Sequence, residues 1–310
     1  KIIKAGRQSG LYEGIVNPPV IHASTILAEN LEEFEKLGKR QRPFMDYGRK
    51  GTTTSFVLEE ALVELEGGKS CLLYPSGLAA VAGALLSVVK ANSHLLMADS
   101  VYYPTRKLCD SVIKRMGVEI EYYDPMVGSN IEQYIKKNTV AIYTESPGSL
   151  TFEVQDIQAI SSVANKHGIK VLLDNTWATP LFFKPFDHGV DLSIQSATKY
   201  ISGHSDVLLG AVISNEKNPV NLQQTTWSLG YHSSPDDIYL CQRGLRTLGV
   251  RMDQHQSAGL KIARWLTKQP EVIKVMHPGL QGNSNYDIWK KDFLGASSLF
   301  GFVISNTSRE

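Results

Sequence analysis

Three cysteines in 310 residues (Cys71, Cys109 and Cys241) are too few and too scattered for a disulfide framework or a zinc cluster. That scarcity points to a reducing, cytoplasmic setting. Neither sign of charge dominates: 32 Lys and Arg stand against 31 Asp and Glu, a formal net charge of +1. No partnership with nucleic acid or an anionic membrane is therefore expected. No apolar run reaches membrane-spanning length; the nearest, "LAAVAGALLSVV", is too short. No apolar core follows the basic residues at the start, so no signal peptide is expected. Internal repeats and low-complexity segments are missing too. What remains is an ordinary globular composition, long enough for a large core with one or two satellites.

Residues 1–50 are punctuated by "VNPPVIHAST" and by the basic "GKRQRPFMDYGRKG", which predicts an extended arm. Regular periodicity begins after it. Leu58, Ala61, Leu62 and Leu65 fall on one helical face that Gly67 ends. "SCLLY" then reads as a strand, Pro75-Ser76-Gly77 as a turn, and the following segment as a helix apolar nearly all round. "HLLMA", "VEIEYY", "TVAIYTE", "KVLLD", "DLSIQ" and "VLLGAVI" read as further strands. Pro104 opens a helix expected to turn Leu108, Val112 and Met116 inward, and Asp156 and Gly168 bracket another. Continuous apolar strands alternating with helices predict an α/β fold, a mostly parallel sheet with helices on both faces. From about residue 246 the rhythm changes to a long helix, followed by a late strand "SLFGFVIS". The expected organisation is an arm (1–50), a large domain (51–245) and the start of a smaller α/β domain (246–310) that reads as incomplete.

Ligands of open parallel sheets bind at the carboxyl ends of the strands. Those ends carry Ser76-Gly77 opening a helix, Asp99 to Tyr103, "TESPGS", Asp174-Asn175-Thr176, and Ser196-Ala197-Thr198-Lys199. Familiar phosphate motifs fail. "GGKS" at 67–70 lacks the first Walker A glycine, which falls on Val63, and no G-x-G-x-x-G exists. Ser196 and Lys199 satisfy S-x-x-K, the pattern of some serine acyl-enzymes, but K-T-G is absent and "SDV" stands in place of S-D-N. The other reading is a Schiff base. An amine condenses with an aldehyde only when neutral, and a lysine behind a buried strand is expected to be desolvated. Asp174 could hold a pyridine nitrogen protonated, the Gly77 turn with Ser196 and Thr198 could take a phosphate, and Tyr102 could stack on the ring. Taken singly, each residue has a blander reading as a cap, core aromatic or turn residue. Together, and in this chain order, they make a kit for a phosphorylated aromatic cofactor.

The ordered set "YGRKGTTT" (47–54), "LEGG" (65–68), "YPSGLAAV" (74–81), "ESPGS" (145–149), "DNTWATP" (174–180), "SIQSATKYISGHSD" (193–206) and "RGLRTLGVR" (243–251) resembles the Cys/Met-metabolism family of fold-type-I pyridoxal 5′-phosphate (PLP) enzymes. It is most similar to the bacterial β-lyase branch, which cleaves cystathionine. The resemblance implies that Lys199 carries PLP covalently, Asp174 faces the pyridinium nitrogen and Tyr102 stacks on the ring. Ser76, Gly77, Leu78, Ser196 and Thr198 would bind the phosphate, and no metal is implied. It further implies that Tyr47 and Arg49 reach into a neighbouring subunit's site, in a homotetramer built as a dimer of dimers. The substrate would be a small sulfur amino acid, and Lys199 or Tyr102 the proton donor in an α,β-elimination. Members acting at the γ-carbon resemble "YSR-x-x-NPT" and "ETPSNP" where this chain has "YGRKGTTT" and "ESPGS". The family's substrate-carboxylate arginine is expected beyond residue 310. Three rivals stay open: a γ-acting member of the family, a serine acylhydrolase using Ser196 and Lys199, and a non-catalytic binding protein on the same fold.

Overall fold

The computed structural model describes residues 1–7, 10, 12–37, 43–283 and 285–305. The basic stretch 38–42 of the expected arm lies outside them. The described arm has little regular structure beyond one short helix, α1 (Leu31–Lys36), whose Glu33 N–H donates to the Asn30 cap at 2.9 Å.

Regular structure begins with α2 (Thr53–Glu66). Leu58, Ala61, Leu62 and Leu65 are all buried, each leucine contributing about 1.5–3 kcal/mol by leaving water. Thr52 and Ser55 close a capping box at its start, and Gly67 ends it in the left-handed region. The chain then alternates through β1 (Ser70–Tyr74), α3 (Gly77–Val88), β2 (His94–Ala98), α4 (Tyr103–Leu108), β3 (Glu119–Tyr123), β4 (Thr139–Glu145), α5 (Ile157–Lys166), β5 (Lys170–Asp174), α6 (Thr179–Phe182), β6 (Leu192–Gln195) and β7 (Gly210–Ser214). These strands form one sheet in the order β1-β7-β6-β5-β4-β2-β3. All pairings are parallel except those of β7, which runs antiparallel to both β1 and β6. β2 is buried at every residue, so both faces of the sheet are covered there, as its unbroken apolar run requires.

The segment opened by Pro104 differs from expectation. α4 gives way to one π turn at Cys109–Ile113 and a 3₁₀ turn at Lys114–Met116. Thr105, Cys109 and Ile113, spaced at i, i+4, face the core, whereas Val112 and Met116 are exposed. Thr105, already inward within α4, sets this face, and Cys109 and Ile113 continue it one position on from Leu108 and Val112.

Beyond the sheet come α7 (Val220–Ser228), α8 (Pro235–Leu245) and the long α9 (Leu248–Leu266). A two-stranded antiparallel sheet follows, β8 (Val272–Met276) with β9 (Gly301–Ile304), joined through α10 (Tyr286–Asp292). β8 was not foreseen because it has no fully buried residue and hence no sharp hydrophobic contrast. Among the described residues no helix is long and apolar enough to cross a membrane.

Candidate active site

β1 and β6 are each antiparallel to β7, and β5, β4 and β2 run parallel to β6, so five strands end at one edge. The loops after them, at 75–77, 99–102, 146–149, 175–177 and 196–199, meet there, where α/β sheets bind their ligands.

The first loop turns into α3. The Ser76 hydroxyl accepts the Ala79 N–H at 3.1 Å and keeps its own hydrogen for a further acceptor. The N–H groups of Gly77 and Leu78, at the helix start, have no intrahelical acceptor and sit at the positive end of the helix dipole. A Cβ on Gly77 would stand 2.5 Å from Ser196 Oγ, so only glycine lets the helix start seat against the end of β6. Ser196 Oγ makes no side-chain hydrogen bond among the described residues. The Thr198 hydroxyl is engaged: it donates to Leu209 O at 3.1 Å and accepts the Leu209 N–H at 2.9 Å. Free N–H groups, two available hydroxyls and a helix dipole make an anion-binding corner.

Lys199 follows in the same turn, its N–H donating to Ser196 O at 3.0 Å and its carbonyl accepting the Gly203 N–H at 2.8 Å. The strand behind it is buried, but Lys199 itself is exposed on this chain, contrary to the expected desolvation. Ala197 and Ile201 on either side of it are fully buried, so exposure here is confined to Lys199. Arg251 on α9 holds this turn. Its guanidinium donates to Tyr200 O at 2.6 Å, Ile201 O at 3.2 Å and Gly244 O at 2.8 Å. Gly203, at φ 75°, leaves room for that guanidinium, since a Cβ there would lie 2.2 Å from Nη1. Arg251 falls in "RGLRTLGVR", but nothing in the local sequence says which carbonyls it caps.

Asp174 ends β5, half-buried, with Oδ1 accepting the Thr176 N–H at 3.0 Å. Burial raises its carboxyl above the ordinary range, while the Thr176 bonds and the positive charge of Lys199 act the other way. Its register partner on β4 is Glu145, a carboxylate that sequence reasoning passed over. Glu145 is only 8% exposed. Its Oε2 accepts the Tyr102 N–H at 2.8 Å and its Oε1 accepts the Ser149 hydroxyl at 2.7 Å. Burial, and then the neighbouring charge of Asp174, push its pKa up to about 8. A second overlooked carboxylate, Glu66, lies beneath the crevice. It accepts Gln195 Nε2 at 2.5 Å and Asn175 Nδ2 at 3.2 Å, tying together the residues next to Asp174 and Ser196.

Tyr102 stands at the head of α4, 46% exposed, on a loop joined to the 146–149 loop by the Ser149 N–H to Ser100 O bond of 2.8 Å. Tyr47 and Arg49 are elsewhere. Arg49 donates to Trp227 O at 2.6 Å, its guanidinium carbon is 5.7 Å from the Tyr47 ring centre, and Thr25 bridges to Tyr47. Among the described residues neither bonds to Lys199, Asp174 or Ser196. Arg49 also lines a cavity of about 250 Å³ between the arm, α2 and the α7–α8 connection, a space that Asp174 and Lys199 do not line. Ser196 and Lys199, the dyad of the acylhydrolase reading, share only their backbone bond. A cluster of His94, Glu119 and Glu121 was not foreseen either, and Lys136 Nζ, 2.7 Å from Glu119 and 2.5 Å from Glu121, pairs with both carboxylates.

This crevice, on this sheet, defines a fold-type-I enzyme with a lysine at the strand-end mouth. The family model for the Cys/Met metabolism PLP-dependent enzymes matches residues 1–310, and the chain belongs to that family. A protein of Rhizobium johnstonii named "Putative cystathionine beta-lyase" is 49% identical over 294 residues, covering 95% of this chain and 73% of that protein. A Wolbachia pipientis protein named "L-alanine/L-glutamate racemase" is 38% identical over 313 residues, covering 98% and 77%. The crystal structure of metB from Corynebacterium glutamicum superposes with a TM-score of 0.92 at 31% identity, covering 98% of this chain and 77% of that one. Membership in this family sets aside the serine acylhydrolase.

Proposed function

We propose that this chain is a PLP-dependent carbon–sulfur β-lyase that cleaves L-cystathionine by α,β-elimination to homocysteine, pyruvate and ammonia. What supports the proposal is one observation: a lysine, a shielded aspartate and a helix N-terminus with free N–H groups share one strand-end crevice in a chain of this family. The 49% identity to a protein named for that activity favours the β-lyase over its relatives.

The crevice fits a phosphorylated pyridine aldehyde. The missing Cβ at Gly77 lets the helix start seat against Ser196, which brings its N–H groups and that hydroxyl to one corner. The Gly77 and Leu78 N–H groups and the Ser76 and Ser196 hydroxyls would hold the phosphate, and Thr198 would join them by exchanging its bond to Leu209 O. When bound, PLP supplies an aldehyde that captures amines and a ring that withdraws electrons from the substrate α-carbon. Lys199 is given the covalent attachment and the transfer of the α-proton. Asp174 would hold a proton at the ring nitrogen, Tyr102 would cover the ring face, and Lys199 or Tyr102 would donate the proton to the leaving thiolate. Because Lys199 is exposed on one chain, its dry surroundings are proposed to come from the cofactor and a second subunit, whose Tyr47 and Arg49 would close the site in a homotetramer. Residues 51–245 would form the cofactor domain of this cytoplasmic enzyme, with 246–310 opening the smaller one.

Racemisation is the second reading, favoured by the 38% identity to a protein named as a racemase, and both reactions begin with loss of the α-proton. Incubation with L-cystathionine tests the first reading: pyruvate with homocysteine is expected. Formation of 2-oxobutyrate with cysteine would replace it by a γ-acting enzyme. No cleavage, with loss of optical activity from L-alanine or L-glutamate, would replace it by the racemase.

A further inference from the structure

Glu145 and Asp174 are the last residues of two adjacent parallel strands, and they are register partners. Partners on neighbouring strands point to the same face, with backbones about 4.8 Å apart. Two carboxyl groups thus share one shielded edge, where both cannot be charged without strong repulsion. Their surroundings are unequal. Asp174 has the Thr176 N–H and the field of Lys199. Glu145 has one backbone N–H, one hydroxyl and no cation.

The groups facing Glu145 confirm the asymmetry. Asp174 stands on β5; Tyr143, a buried phenol held well above its ordinary pKa, precedes it on β4; Cys109 lies behind Tyr143 in the turn after α4. Lys199 acts on Asp174 from the turn after β6, and Arg106 on α4 is already paired with Asp99. The hydrogen bonds also choose an oxygen. Oε2 must accept, because its partner is the Tyr102 backbone N–H. Oε1 faces a hydroxyl, and a 2.7 Å contact between two oxygens serves equally with the proton on either one.

We propose that Glu145 is a positioning residue which carries the single proton of this carboxyl pair on Oε1, leaving Asp174 as the charged member, while Oε2 anchors Tyr102 through its backbone. The proposal rests on the reading that Asp174 and Tyr102 face the cofactor ring, and it adds why Asp174 stays ionised beside a second acid. A neutral Glu145 keeps the net charge of the edge at one, which matches one pyridinium.

Two measurements test it. In cofactor-free protein with ¹³C-labelled glutamate carboxyls, a resonance titrating near pH 8 should vanish in Glu145→Gln, while that of Glu66, the other glutamate raised by burial, should persist. If the resonance lost in Glu145→Gln titrates in the ordinary range, the proposal is overturned. Binding of PLP, followed by tryptophan fluorescence, separates charge from shape. Glu145→Gln, whose amide can accept from Tyr102 and donate to Ser149, should bind within about threefold of wild type, and Glu145→Ala roughly tenfold or more weakly. Equal losses in both variants, or none in either, would overturn it. A wild-type chain that takes up no PLP would instead sink the reading of the crevice, and the titration would still decide Glu145.

Discussion

Gly77 and Ser196 approach so closely that a single added methyl would sit 2.5 Å from the serine hydroxyl and 2.7 Å from its Cβ. The start of α3 and the end of β6, more than a hundred residues apart in sequence, are joined at that point into one anion-binding corner.

The contact makes Gly77→Ala a sharp probe. The new methyl must push Ser196 or the helix start aside, at about 1–3 kcal/mol for overpacking. The variant should fold with reduced stability in urea and bind PLP roughly tenfold or more weakly. Unaltered affinity in a well-folded variant would remove the phosphate from this corner.

Arg251 should govern the Lys199 turn. Arg251→Ala leaves the Tyr200 and Ile201 carbonyls without their donor, at about 1–3 kcal/mol, while Gly244 O keeps the Thr247 N–H and hydroxyl. Arg251→Lys supplies a point charge that cannot span them. Both variants should be less stable, and both should yield less pyridoxyl label on Lys199 after PLP loading, borohydride reduction and peptide mass analysis.

Lys199→Ala should lose that label and all elimination. Mixed with Arg49→Ala subunits after mild unfolding and refolding together, it should regain part of the activity, because hybrid dimers would pair an intact Lys199 with an intact Arg49. Absence of any recovery would argue that each chain builds its site alone.

His277 predicts how stability responds to acid. It is fully buried, with Nδ1 accepting the Gly279 N–H at 3.0 Å. Burial, with a smaller push from Arg264, lowers its pKa from the ordinary 6.5 to about 4. The unfolded chain therefore takes a proton near pH 6.5 that the folded chain refuses until about pH 4. Its contribution is full above pH 6.5 and declines as pH falls through this window, reaching about 3 kcal/mol lost at its lower end. Urea denaturation at pH 7.5 and 5 should show about 2 kcal/mol of this loss, and His277→Leu should flatten the slope.

Much of the site could be read from the chain because its signals are local. A continuous apolar run such as "KVLLD" or "DLSIQ" makes a buried strand wherever it sits, parallel strands align their carboxyl ends, and the residue after each end is thereby a candidate. Lys199, Asp174 and Gly77 were found in this way, with the family resemblance supplying their roles. Other features depend on partners far off in sequence. Glu66 bonds residues 109 and 129 positions away, Arg251 caps carbonyls about 50 positions back, and Glu145 meets Asp174 only through strand register. Local pattern also misjudged the inward face after Pro104, where Thr105, Cys109 and Ile113 rather than Val112 and Met116 meet the core, and the surroundings of Lys199, which is exposed beyond the end of the strand. The sequence by itself determined which segments become strands and helices and which chemical groups stand at their ends, since periodicity and turn residues act over a few positions. Only the tertiary structure decided which of those groups are paired, shielded or left in water, because a carboxyl's proton and a lysine's hydration follow from burial and from charges brought close by distant parts of the chain.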